Sequence, residues 1–572
     1  MAEKQLKKLV KAEIITDNIL KNELLEIEIE TITLEGNLYD FENISIDFEY
    51  TSPSGKILKH PGFVYRKAFV AEDGRYFVDE ESKPVWRIRI SPKEVGEYFS
   101  SVVLTEKGIE VDRLNLSFSV KDGGEKCGFV TVEPKFKKNF AFENGERYIP
   151  VGINVAWGDE DWKNHADSGT INLYQRIYER LHRYDANWTR LWCTPTWSIG
   201  FLNKNDKTDD FSSAQNRAAM FDDILEMHRK NGLYVTMVLF THALFCATGQ
   251  DVFWRHNAFN SINPNGYLDD PKEFFTNERC KKDAKIFIRY FIARYGYSRN
   301  IFAWELFNEV NAVRADEEAV KQWHKEMTEF IRETDAHSHL ITTSASIVEY
   351  DLIYDKMFDY IALHSYFQYN NPRDIIFTSA RLAAKYDRPL MMEEYGLDWR
   401  GVVYGLVHQH HKLWAGLMGR NAAVCMTWYW DFFDAYGEKI GDQDYYYRQY
   451  YAVSKFAKIL PTDVLVQNWV SRLDLDCKDE RVDIMGYTSD NYAYLWLYDV
   501  NYLTDESPMD EMQDIFFKLT LAEGSYCIAW YDTWKGENIC NTTMEIKGSP
   551  FKIVGISSPK WCKDIAVTVT KI

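Results

Sequence analysis

Three glutamates in this chain stand where a carboxyl group could do chemistry. Glu309 closes the stretch WELFNEVN (304–311). An amide, Asn308, precedes it, and the run IFAWELF before that reads as a short buried strand. Glu393 and Glu394 end a second apolar run, RPLMMEEYG (388–396). Two carboxyl groups facing each other across a gap can divide one reaction between them. The protonated one gives its proton to a departing oxygen, and the ionised one attacks the carbon left behind. Cleavage of a glycosidic bond requires such a pair.

Residues so far apart in sequence meet only if the fold carries them together. With 572 residues the chain exceeds what one hydrophobic core supports, and two to four domains are expected. Between about 128 and 460, short apolar runs alternate with amphipathic stretches. The runs are YIPVGINVAW, NWTRLW, LYVTMVLF, NIFAWEL, LITTSA, DYIALHSY, RPLMMEEYG and NAAVCMTWYW. The helices between them include LYQRIYERLHRY, AAMFDDILEMHRKNG and KKDAKIFIRYFIARYG. The last two end in Gly after basic residues, which is helix-stop chemistry. Eight β–α repeats predict an α/β fold, a (β/α)8 TIM barrel over 123–460, in which strand ends line the reactive mouth. A doubly wound sheet is the alternative, and no GxGxxG or GxxxxGK[ST] loop supports it. The fourth and seventh strands of such a ring lie on opposite sides, so Glu309 can face the glutamates of the seventh. Glu305 reads as an inner-barrel partner for a basic group. Residues 1–122 alternate as short strands and predict a β-sandwich, with KDGGEK (121–126) as linker; 461–572 predict a second β-sandwich packed on the barrel.

WELFNE resembles the strand-four signature of the clan A glycoside hydrolases, such as the family 5 cellulases and mannanases, in which Asn precedes the acid/base Glu. RPLMMEEYG is similar to their strand-seven signature, where an aromatic and a Gly follow the nucleophile. The resemblance covers the barrel and makes Glu309 acid/base and Glu394 nucleophile. Strand alternation then points Glu393 to the opposite face, as a structural partner. Arg190 in NWTRLW looks like the strand-two Arg that supports the nucleophile. His364 and Tyr366 in LHSY resemble the strand-six pair, and Trp428 or Trp430 the strand-eight Trp that floors the sugar site. PSGKILKHPGFVY and WRIRISPKEVGEYF resemble an N-terminal β-sandwich that precedes such barrels in several bacterial glycosidases. The resemblance implies a retaining β-glycoside hydrolase acting on oligosaccharides by double displacement, with no metal or organic cofactor. A catalytically inactive carbohydrate-binding barrel and a transglycosylase are the alternatives.

Physical roles follow. Asn308 can donate to the hydroxyl beside the reacting carbon. A negative Glu394 should raise the pKa of Glu309, Arg190 should keep Glu394 ionised, and Tyr366 can orient it. A carboxyl separation of about 5–5.5 Å means retention, and about 6.5–9.5 Å inversion. His242 at the end of the third strand, and Trp157 and Asn154 near the end of the first, are expected to line the same pocket, as are Trp192, Trp254 and Trp399. His337 and His339 have ligand-like spacing with nothing to complete a metal site, and are placed at a helix end.

The net charge of −19 excludes a nucleic-acid partner or an anionic membrane surface, and suits a neutral carbohydrate. The 18 Trp, 36 Tyr and 34 Phe provide rings that stack on sugars as well as a core. Nine cysteines, odd in number and without CxxC, read as reduced thiols. No signal peptide or apolar membrane span is evident, so a cytoplasmic protein is expected; a homo-oligomer is compatible with the sequence.

Overall fold

The computed structural model describes residues 8–158, 171–194, 200–248, 252–366, 371–396 and 405–572. At the N-terminal end lie two four-stranded antiparallel sheets. Leu25–Thr31 shows why they form: in LEIEIET the Leu and Ile side chains are buried and alternate with more accessible acids. Leu25, Ile27 and Ile88 from one sheet and Ile46, Phe48 and Val102 from the other share one core.

The central region is parallel. Strand β1 (Gly152–Asn154) pairs with β2 (Trp188–Trp192), β2 with β3 (Tyr234–Thr241), and β3 with β4 (Ile301–Asn308). Strand β5 comes in two pieces. Leu340–Thr342 pairs with β4, and Ser344–Ala345 pairs with β6 (Ile361–Tyr366), which in turn pairs with β7 (Leu390–Gly396). Strands β2, β3, β4 and β7 are buried at every residue, as strands covered on both faces must be. Helices connect them: α1 (Ile171–Arg183), α2 (Gln215–Asn231), α3 (Glu278–Tyr295), α4 (Glu317–Thr334), α5 (Pro372–Lys385), α6 (Leu406–Met418), α7 (Trp430–Ile440) and α8 (Arg448–Ile459). Gly232 ends α2 at φ 64°, with its N–H on Arg229 and His228 carbonyls, whereas Gly296 ends α3 in right-handed geometry.

The eighth apolar run, NAAVCMTWYW, is not a regular strand. It is nonetheless bonded on both sides. The Asn154 N–H donates to the Thr427 carbonyl (3.0 Å) and the Tyr395 N–H to that of Met426 (3.1 Å), with parallel bridges Ile153↔Thr427 and Tyr395↔Thr427. The run YIPVGINVAW divides: Arg147–Tyr148 joins a small antiparallel sheet with Val130–Val132 and Phe140–Phe142, and Gly152–Asn154 enters β1. Phe140 and Tyr148 from that sheet pack on Phe302 of β4.

A six-stranded antiparallel sheet follows, built from strands between Asn468 and Lys571 around its own apolar cluster. It is tied to α6 by polar contacts: Trp469 and Tyr487 donate to the Met418 and Leu417 carbonyls (2.8 and 2.9 Å), and His410 meets Asp564 at 2.8 Å.

Candidate active site

Strands β4, β6 and β7 bring Glu305, Glu309, His364, Tyr366, Glu393 and Glu394 together around one arginine of β2. Arg190 on β2 is fully buried. Its Nε and Nη2 hold both oxygens of Glu305 on β4, at 2.6 and 2.8 Å. Nη2 also reaches the Asn308 carbonyl oxygen at 2.6 Å, and Nη1 bonds Glu394 on β7 and Asn154 on β1. All five guanidinium donors are thus engaged. Glu305 accepts a further bond from Ser344 at 2.7 Å, which completes the inner-barrel pair the sequence suggests.

Strand β4 stops at Asn308. Glu309 takes a left-handed backbone, φ 47° and ψ 48°, which is costly for a residue with a Cβ and recurs where geometry serves a site. Its N–H is held by Ser344 at 3.0 Å. The turn aims its side chain, 13% exposed, at His364 on β6, whose Nδ1 lies 2.9 Å from Glu309 and 3.4 Å from Glu394. One oxygen of each carboxylate and a His364 nitrogen all lie within 4.8 Å of one another. Tyr366 donates to Glu394 through its hydroxyl. His242 accepts from the Asn308 amide at 2.8 Å and sits 3.7 Å from Glu309 through its other nitrogen. Asn308 is therefore engaged at both ends and keeps one amide hydrogen at most for a ligand.

Glu393 corrects the alternation argument. In the β6–β7 pairing Leu363 faces Met392 and His364 faces Glu394, so Glu393 is an extra residue, a bulge. The bulge lets neighbouring glutamates both reach Arg190 instead of opposite faces. Glu393 is completely buried, accepts from Tyr360 at 2.7 Å and from Thr236 at 3.3 Å, and lies 4.0 Å from the Arg190 Nε.

The charges also differ from expectation. Burial pushes Glu309 up, but the His364 hydrogen bond and the imidazoles of His242 and His364 outweigh it, leaving Glu309 below the ordinary glutamate value. Burial pushes Glu394 up and prevails over His364 and Arg190, so Glu394 is raised, with Glu309 adding to the effect. Burial would lower His364, yet the charge of Glu394 and the Glu309 hydrogen bond raise it. The His364 imidazole is thus favoured as a proton holder and Glu309 disfavoured, each relative to its ordinary value. Sequence reasoning placed the proton on Glu309 because it gave His364 and His242 no electrostatic weight.

The indoles separate by exposure. Trp157, Trp192 and Trp428 have ring centroids 5.2–5.6 Å apart, and Trp192 packs 6.2 Å from His242. Trp428 and Trp157 are partly exposed, while Trp430 is buried and donates to the Trp157 carbonyl at 3.1 Å. Asn154 is wholly buried, its amide bonded to the Glu393 and Thr427 carbonyls at 2.9 and 3.0 Å, so it ties strands rather than lining a pocket. Trp254 packs on Phe245, and Trp399 lies outside the described residues. His337 and His339 follow α4 and are bound to the Ser91 N–H and to Asp335. Ser344, Tyr360 and Thr236 went unread in the sequence, because a lone hydroxyl residue in an apolar run carries no pattern.

This fold and these carboxylates define a glycoside hydrolase type of site. Residues 152–434 match the family model "Cellulase (glycosyl hydrolase family 5)", and that segment belongs to this family, which implies a (β/α)8 barrel. A structure from Bacteroides vulgatus ATCC 8482, provisionally described as a glycoside hydrolase, aligns over 97% of this chain and 100% of its own, with TM-score 0.63 and 15% identity, a likeness of fold. "Probable mannan endo-1,4-beta-mannosidase A" of Aspergillus clavatus is 33% identical over 72 residues, 13% of this chain and 20% of the relative. Mannan endo-1,4-beta-mannosidase A of Podospora anserina is 32% identical over 78 residues, 14% and 21% respectively. The chain thus spans about a fifth of the length of these curated relatives.

Proposed function

We propose that this protein is a retaining β-glycoside hydrolase, with Glu309 as acid/base and Glu394 as nucleophile. The observation that carries the reading is the meeting of Glu309 and Glu394 on one His364 nitrogen, with carboxylate oxygens within 4.8 Å. That closeness suits a direct nucleophile, since an inverting enzyme holds its acids farther apart to seat a water between them. The asymmetry of their partners supports the assignment: Arg190 and Tyr366 bond Glu394, and neither bonds Glu309.

The sugar ring seats on Trp428, with its anomeric carbon against Glu394. As the substrate excludes water, His364 passes its proton to Glu309, which protonates the leaving oxygen while Glu394 attacks. A glycosyl ester forms and the aglycone leaves. Glu309, now a base, takes a proton from water, which displaces Glu394 and restores the original configuration.

The same reading closes the parallel strands into a (β/α)8 barrel within 123–460, with the run at 421–428 in the eighth place, and treats 1–122 and 461–572 as β-sandwich domains. Bonds from that run to both β1 and β7 support closure. All nine cysteines are free thiols, and a cytoplasmic setting is part of the proposed reading. The names of the curated relatives put β-1,4-linked mannooligosaccharides first among substrates. The test is hydrolysis of a panel of nitrophenyl β-glycosides and defined oligosaccharides, with Glu394→Gln as control. Turnover of at least one substrate that the variant loses is expected; equal turnover by both proteins would refute the assignment.

A further inference from the structure

Glu393 and His364 each leave one buried atom without a hydrogen-bond partner among the described residues, Oε2 of the one and Nε2 of the other. A nitrogen or oxygen from each of Glu305, His364 and Glu393 falls within 4.8 Å of the other two. The two orphans thus belong to one sealed cluster beneath the catalytic pair. All five Arg190 donors go to Glu305, Glu394, Asn308 and Asn154, so none is left for Glu393. An ionised Glu393 would hold a buried oxygen beside Glu305 with no donor from a described side chain, which is costly. A protonated one needs only an acceptor, and the neighbouring Glu305 carboxylate supplies it.

We infer that Glu393 is a positioning residue for the proposed reaction, a proton-holding carboxyl that acts on Glu309 and Glu394 through His364 and Arg190. The inference rests on the hydrolase reading above. Among the described residues, Glu393 faces Arg190 from β2, Glu305 from β4, His364 from β6, Tyr360 just before β6, Glu394 beside it on β7, and the uncharged Thr236 and Asn154 from β3 and β1. Burial, and then the charge of Glu305, push Glu393 up to about 7. Below that pH the carboxyl is neutral, and Arg190 stays with Glu305 and Glu394. Above it the proton leaves to solvent. The new charge then competes for Arg190 and holds the His364 proton on the imidazole, away from Glu309. Activity should fall on the alkaline side as Glu393 ionises.

The experiment compares full-length wild type, Glu393→Gln and Tyr360→Phe. Glutamine keeps the shape and cannot ionise; phenylalanine removes the donor that favours the ionised carboxylate. Each profile of kcat/KM against pH is normalised to its own maximum, and the protonated-carboxyl stretch is followed by infrared difference spectroscopy across the same range. We expect the alkaline half-point to move up by ~0.5 pH unit or more in Glu393→Gln, and by less in Tyr360→Phe. We also expect a protonated-carboxyl band that titrates near neutrality in wild type and is absent in Glu393→Gln. Superimposable profiles, or an unchanged band, would overturn the inference. Should Glu393→Gln fail to fold, Tyr360→Phe and the wild-type band decide the matter. Should wild type hydrolyse nothing, the hydrolase reading fails while the infrared band still reports whether Glu393 holds its proton.

Discussion

The site contains two pairs of glutamates, one above the other, and their difference lies in solvent and donors rather than in residue type. Glu309 and Glu394 sit at the strand ends, with Glu309 partly exposed and both within reach of one imidazole. Glu305 and Glu393 lie within the parallel strands with no exposure, and are met by Arg190, Ser344, Tyr360 and Thr236. Chemistry needs an acid whose partners can be exchanged for substrate, and the upper pair has that freedom. The lower pair has nothing to exchange. A carboxylate with every donor fixed serves as scaffold, and one with an oxygen left bare serves as a proton store.

Substitutions can break this contrast, starting with the largest effect. Glu394→Gln should lower kcat/KM by roughly 10⁵-fold or more, because no other group can form the ester; steady-state assays with an activated aryl glycoside would show it. Glu309→Gln should cost about 10²–10⁴-fold on substrates with poor leaving groups and much less on activated ones, since general acid help matters most where departure is hard. Among the lower pair, Glu305→Gln should cost stability as well as rate. Loss of one partner of a buried ion pair is worth about 3 kcal/mol here, at the low end because Arg190 keeps Glu394, and denaturant unfolding would measure it. Ser344→Ala touches both pairs through one hydroxyl and should cost about 1–2 kcal/mol of stability by the same measurement. Trp428→Ala should raise KM about tenfold with a smaller change in kcat, as expected for a ring that contributes on the order of 1 kcal/mol of stacking.

The upper pair could be read from sequence because an acid at the end of an apolar run breaks a pattern, and WELFNE and EEYG each do so. Glu305 could be read as a partner for a basic group for the same reason. Glu393 could not be placed, since a bulge is set by how β6 pairs with β7 and alternation along β7 alone predicts the opposite face. The histidines inverted the expected charge order for a related cause: His242 and His364 come from different strands and act only where those strands converge. Trp428 and Trp430 could not be separated until the chain left its last apolar run and turned into α7, burying one ring and leaving the other open. The antiparallel sheets at both ends were legible as alternating strands, and the parallel centre as repeated apolar runs. The eighth run's lack of regular strand geometry was not, since its bonds to β1 and β7 depend on partners far away in sequence.

The central claim is that Glu394 attacks the sugar directly while Glu309 handles the proton. Time-resolved proton NMR of the first product released from a β-glycoside tests it most directly. The account predicts that the β-anomer appears first and then mutarotates; initial release of the α-anomer would contradict it.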